Sequence, residues 1–139
     1  MKTEKVSVNL SPVELGQIDC LVEHGLFDSR SDFIRTSARK HLENHSSEFE
    51  KFLKPEPADK EDSGISYAFS LGIIGFSKNE ILKYIKSGKK LKIRVIGLLK
   101  FSNGITKEEI KQVVLSCKVY GKLVAGNEVK EALREIEEM

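Results

Sequence analysis

One stretch constrains this chain more than any other. In Lys5-Val6-Ser7-Val8-Asn9-Leu10-Ser11 the apolar Val6, Val8 and Leu10 alternate with the polar Lys5, Ser7 and Asn9. Side chains on a strand repeat every two residues, so the spacing predicts one apolar face and one hydrogen-bonding face. Such a strand leaves its edges unpaired and its apolar face wet unless something covers them. No second strand follows nearby, because Ser11-Pro12 opens a helix. The nearest partner is therefore the same strand from a second copy. The resulting antiparallel ribbon is expected to bury Val6, Val8 and Leu10 and to project Lys5, Ser7 and Asn9, donors and acceptors suited to base edges in a major groove.

Two helices are expected next. Ser11 and Glu14 form a Ser-x-x-Glu capping box, and Leu15, Ile18, Leu21 and Val22 repeat at helical spacing before Gly25 stops the run. Ser29 to Asp32 predicts a second capping box, followed by an apolar face of Phe33, Ile34, Ala38 and Leu42. The free N–H groups of that first turn, with Arg30 and the hydroxyls of Ser29 and Ser31, suit a phosphate. Ser29 as a plain helix cap is the simpler alternative. The second helix is expected to run on towards Phe52.

Residues 4–44 resemble the ribbon-helix-helix family of dimeric DNA-binding proteins, of the Arc, MetJ and CopG kind. The resemblance is carried by Lys-Val-Ser-Val-Asn-Leu-Ser, a helix, a short Gly-containing turn and Ser29-Arg-Ser-Asp-Phe-Ile-Arg35. It implies base contacts from Lys5, Ser7 and Asn9 and backbone anchoring by Ser29, Arg30 and Ser31. The expected dimer core comprises Val6, Val8, Leu10, Leu15, Ile18, Val22, Ile34 and Ala38.

Composition then breaks. Residues 54–64 hold two prolines, four acids and no large apolar side chain, as an exposed linker would. Beyond it Gly72, Gly97 and Gly121 recur at a period of about 25 residues, each after a β-like run and before a shorter apolar run, a polar turn and a helix-like pattern. A glycine there lets a strand bend. The pattern predicts three strand-bend-strand-helix units stacked as a short parallel sheet with helices on one side. The competing reading is an α+β domain with fortuitous glycine spacing. The exposed ends of a stack call for caps or a partner.

Other signals are weaker. The net charge is +2, and the first segment carries no strong basic footprint. Cys20 with His24, and His41 with His45, have the i, i+4 spacing of metal ligands, but the second domain has one cysteine and no histidine, so neither a metal nor a cofactor is expected. Lys83 to Arg94 is a basic run without acid, explained equally by a solvated loop or by a phosphate contact. There is no phosphate-binding glycine loop and no nucleophile with a base at a known spacing, and Glu108-Glu109 fits a helix first turn, so an enzyme is not expected. Two cysteines in separate domains, no signal-like start and no long apolar run point to the cytoplasm.

These observations give an α+β expectation. Residues 1–53 form a β-α-α ribbon-helix-helix domain for DNA binding and dimerisation, and residues 54–64 an acidic linker. Residues 65–139 form a three-unit β/α repeat domain with an oligomerisation or effector role. The corresponding function is a homodimeric, sequence-specific regulator of transcription, a repressor, with double-stranded DNA and itself as partners and a tetramer as an option. The alternative is a dimeric protein-interaction scaffold, or antitoxin-like module, whose C-terminal repeats bind a protein.

Overall fold

A computed structural model describes residues 3–54 and 64–138. In order these form α1 (Pro12–Glu23), α2 (Arg30–Glu43), α3 (Ser46–Leu53), β1 (Ile65–Phe76), α4 (Lys78–Ser87), β2 (Lys90–Phe101), α5 (Lys107–Val113), β3 (Val114–Val124) and α6 (Asn127–Glu138). They divide into two compact units, Met1–Ser47 and Glu48–Met139. The expected linker falls almost wholly outside the described residues.

Among the described residues the regular elements of the first unit are all helices, which corrects the expected β-α-α order. Residues 3–10 form no strand. A strand exists only as half of a pair, and the other regular elements of this unit are helices, so within one chain the segment has nothing to pair with. The Ser11–Glu14 capping box closes, with the Ser11 hydroxyl accepting from the Glu14 N–H at 3.2 Å. At the far end Gly25 has φ +80°, and the Leu26 N–H reaches the Leu21 carbonyl at 3.0 Å, as in a Schellman stop. Ser29 accepts from the Asp32 N–H at 3.0 Å, while the Asp32 carboxylate turns back to the Asp28 N–H, so only half of the expected second box forms. The helix expected to run to Phe52 breaks at Asn44-His45 into α2 and α3.

The second unit is three successive β-α pairs in one parallel sheet of order β1-β2-β3. This corrects the expected strand-bend-strand-helix unit: each unit holds one continuous strand with its glycine inside it. Pairing runs unbroken on both sides of Gly72↔Gly97 and of Gly97↔Gly121. The strands stay whole because all three glycines take similar positive φ angles, +131°, +138° and +121°, and bend together. A side chain at Gly97 would fall on the Gly72 carbonyl, and one at Gly121 on the Gly97 carbonyl. The register slips once, between Leu91 and Lys92, where β3 accommodates the extra Leu115.

One face of the sheet carries the core. Leu91, Ile93, Val95, Leu99 and Phe101 of β2 alternate inward and meet Ile81 of α4, Ile110 and Val113 of α5 and Val129, Ala132 and Leu133 of α6 in a single buried cluster. All three helices therefore lie on that face, as successive parallel crossovers of one hand require. Ser77 caps α4, and Thr106 with Glu109 forms a full capping box on α5. Ion pairs join neighbouring helices: Lys78 to Glu109 at 3.1 Å, Lys107 to Glu135 at 2.6 Å and to Glu131 at 3.2 Å, and Lys111 to Glu135.

Candidate functional site

The residues singled out in the first unit are scattered. Lys5, Ser7 and Asn9 are exposed on an unpaired segment and share no strand face. Ser29 is occupied as the α2 cap, Arg30 makes a two-pronged pair with Asp19 of α1 at 2.7 and 2.8 Å, and Ser31 is exposed. That pair lowers the Asp19 carboxyl, chiefly through the hydrogen bond from Arg30, and raises Arg30 in return. Of the expected dimer core only Ile18 is buried. Leu10, Leu15 and Val22 are half-buried, Ala38 is exposed, and Val6 is 80% and Val8 61% exposed. Val8, Leu10, Ile18, Leu21, Phe33 and Ile34 instead line an open apolar cleft of about 300 Å³.

The histidine pairs are local contacts. His24 Nδ1 lies 2.7 Å from the Cys20 carbonyl oxygen, and the rings of His41 and His45 meet edge to face at 5.2 Å. Among the described residues no three His, Cys, Asp or Glu side chains gather to hold a metal. Burial pushes the Cys117 thiol up to about 12, with the charge of Glu137 adding to the shift, so it stays protonated.

The second unit has a surface of which sequence reading singled out only Lys92 and Arg94, at the end of the basic run. Helices cover one face of its sheet, and among the described residues the other is open. The strand register arranges that face in rows: Phe69, Arg94 and Lys118; then Leu71, Ile96 and Tyr120; then Ile73, Leu98 and Lys122. Leu71, Ile73 and Tyr120 are 61%, 60% and 50% exposed. The Arg94 guanidinium stacks 4.5 Å above the Phe69 ring and also donates to the Phe52 carbonyl at the end of α3, at 2.7 Å. Lys118 sits over the Tyr120 ring at 5.3 Å. The signal was present as alternation within Lys90–Phe101, but it shows only once neighbouring strands are aligned.

A family model, that of the ribbon-helix-helix transcriptional regulators, matches residues 1–130. The chain belongs to the ribbon-helix-helix transcriptional regulator family. No curated protein and no solved structure matches it. Membership reaches through β1, β2 and β3, which corrects the expected likeness of the N-terminal third alone. The family is one of transcriptional regulators, which agrees with the expectation that the chain is not an enzyme. No helix among the described residues is long and apolar enough to cross a membrane. This family member nevertheless shows no N-terminal antiparallel ribbon among its described residues. The expected major-groove reader, its repressor role and its double-stranded DNA partner lose the element on which they rested.

Proposed function

We propose that this ribbon-helix-helix family member is a dimeric protein-interaction scaffold whose C-terminal β/α repeats bind a protein partner. One observation carries the reading: the sheet is covered by helices on one side only, and its open side sets Leu71, Ile73 and Tyr120 on a rigid support. Exposed apolar side chains grouped on one face mark interaction surfaces more often than chance solvent contacts. A sheet held by three helices and a single core presents them with little loss of freedom on binding. The N-terminal unit serves as the pairing device. Its apolar cleft, lined in part by the exposed Val8, is the kind of surface that a second copy covers. Two thiols, Cys20 exposed and Cys117 buried, are both unpaired by disulfide, which supports a cytoplasmic setting.

Selecting displayed peptides on the full chain tests this reading. Clones are expected whose binding is lost on Ile73→Ser and kept on a substitution at the exposed end of α2, such as Arg39→Ser. If no clone depends on the sheet face, the reading fails.

A further inference from the structure

The open face has a one-sided charge. From the Tyr67 row to the Gly75 row its described residues include the cations Arg94, Lys100 and Lys118 and no carboxylate. The cations stand on β2 and β3, whereas Tyr67, Phe69, Leu71 and Ile73 make β1 the apolar margin. A second copy placed face to face would set these cations against their own kind, which disfavours self-docking. The rings are also poor platforms for bases, because Arg94 already covers Phe69 and Lys118 covers Tyr120.

Geometry narrows the occupant further. Three strands span two gaps of about 4.8 Å, a width of about 10 Å, which is one helix diameter. The rows extend about 27 Å along the strands, the length of a helix of about 18 residues. A strand laid on a sheet face finds no backbone partner there, whereas a helix satisfies its own N–H and C=O groups. The face already receives one helix end, since the Phe52 carbonyl of α3 accepts from Arg94, the favourable pairing of a cation with a helix C-terminus.

We infer that the open face binds an acidic amphipathic helix of a protein partner, its apolar stripe over Leu71, Ile73, Ile96 and Leu98 and its carboxylates towards Lys100 and Lys118. This rests on the scaffold reading and specifies the partner's chemistry. The test uses the full chain and fluorescein-labelled helical peptides of about 18 residues. One carries Glu opposite a Leu/Phe stripe, and two others replace Glu by Gln or by Lys. The Glu peptide is expected to bind saturably, and Lys100→Glu with Lys118→Glu to weaken it at least tenfold. The same double variant should gain affinity for the Lys peptide, a rescue that loss of fold could not produce. Equal binding of the Gln and Glu peptides, both weakened by Ile73→Ser, would overturn the acidic partner and leave the scaffold standing. No binding by any peptide, together with no sheet-dependent clone in the display selection, would remove both. Tighter binding of a single-stranded oligonucleotide, lost in the double variant, would make the face a nucleic-acid surface and overturn the inference. So would a tenfold gain for the Glu peptide when Glu56, Asp59, Glu61 and Asp62 are made amides, because the chain's own acids would then be the occupant.

Discussion

At the scale of single residues the three strand glycines are not equivalent. All have positive φ, a strain of about 1–3 kcal/mol for another residue. Gly97 and Gly121 add a collision with the neighbouring carbonyl, whereas nothing lies within 4 Å of a side chain at Gly72 on the edge strand. Gly97→Ala should therefore lower the thermal midpoint well below that of Gly72→Ala, and scanning calorimetry of the two variants checks this. The cysteines differ as sharply. Iodoacetamide should label the exposed Cys20 in minutes and spare the buried Cys117 until the second unit opens. A raised thiol value in the folded state gives stability that is whole below its ordinary value of 9.0 and is lost as pH rises towards about 12. The unfolding midpoint should fall less between about pH 8 and pH 11 in Cys117→Ala, which has nothing to titrate there.

At the scale of elements, the ion pairs tie successive helices into one layer. Glu135 is lowered by its bonds to Lys107, first, and to Lys111. A lowered carboxyl contributes stability above its ordinary value of 4.5 that disappears as pH falls through the folded value. Glu135→Gln should shift the acid unfolding midpoint upward relative to a Glu137→Gln control, followed by circular dichroism. Elements also show what sequence reveals. Caps such as Ser11 with Glu14 are local chemistry within four residues and are legible, as is the α1 stop at Gly25. The recurrence of Gly72, Gly97 and Gly121 was equally visible. That the strand continues through each glycine was not, because continuity depends on neighbours bending in step, a property of the ladder rather than of one strand. The alternation of residues 5–10 read as a strand for the opposite reason: pattern describes a face, and pairing decides whether a strand exists. The open face was illegible for want of register, since Arg94 and Lys118 are neighbours only across strands.

For the whole molecule the two units differ in self-sufficiency. The second has a continuous core of buried side chains, while among the described residues the first buries Ile18 alone. Ile110→Ala should destabilise the second unit by about 2–5 kcal/mol, measurable by urea unfolding. In Val8→Asp a charge enters the surface proposed for pairing, and sedimentation should show the dimer dissociating while the spectrum of the second unit persists. The glycine-on-glycine register has one more implication. Because each unit presents its neighbour with the same bend at the same height, the sheet can gain or lose material only in whole units. A duplication that inserts one complete β-α unit between β2 and β3 preserves every ladder, whereas an insertion of a few residues within a strand misaligns all that follow. The length of such a sheet is therefore quantised, able to change by whole β-α units and not by single residues.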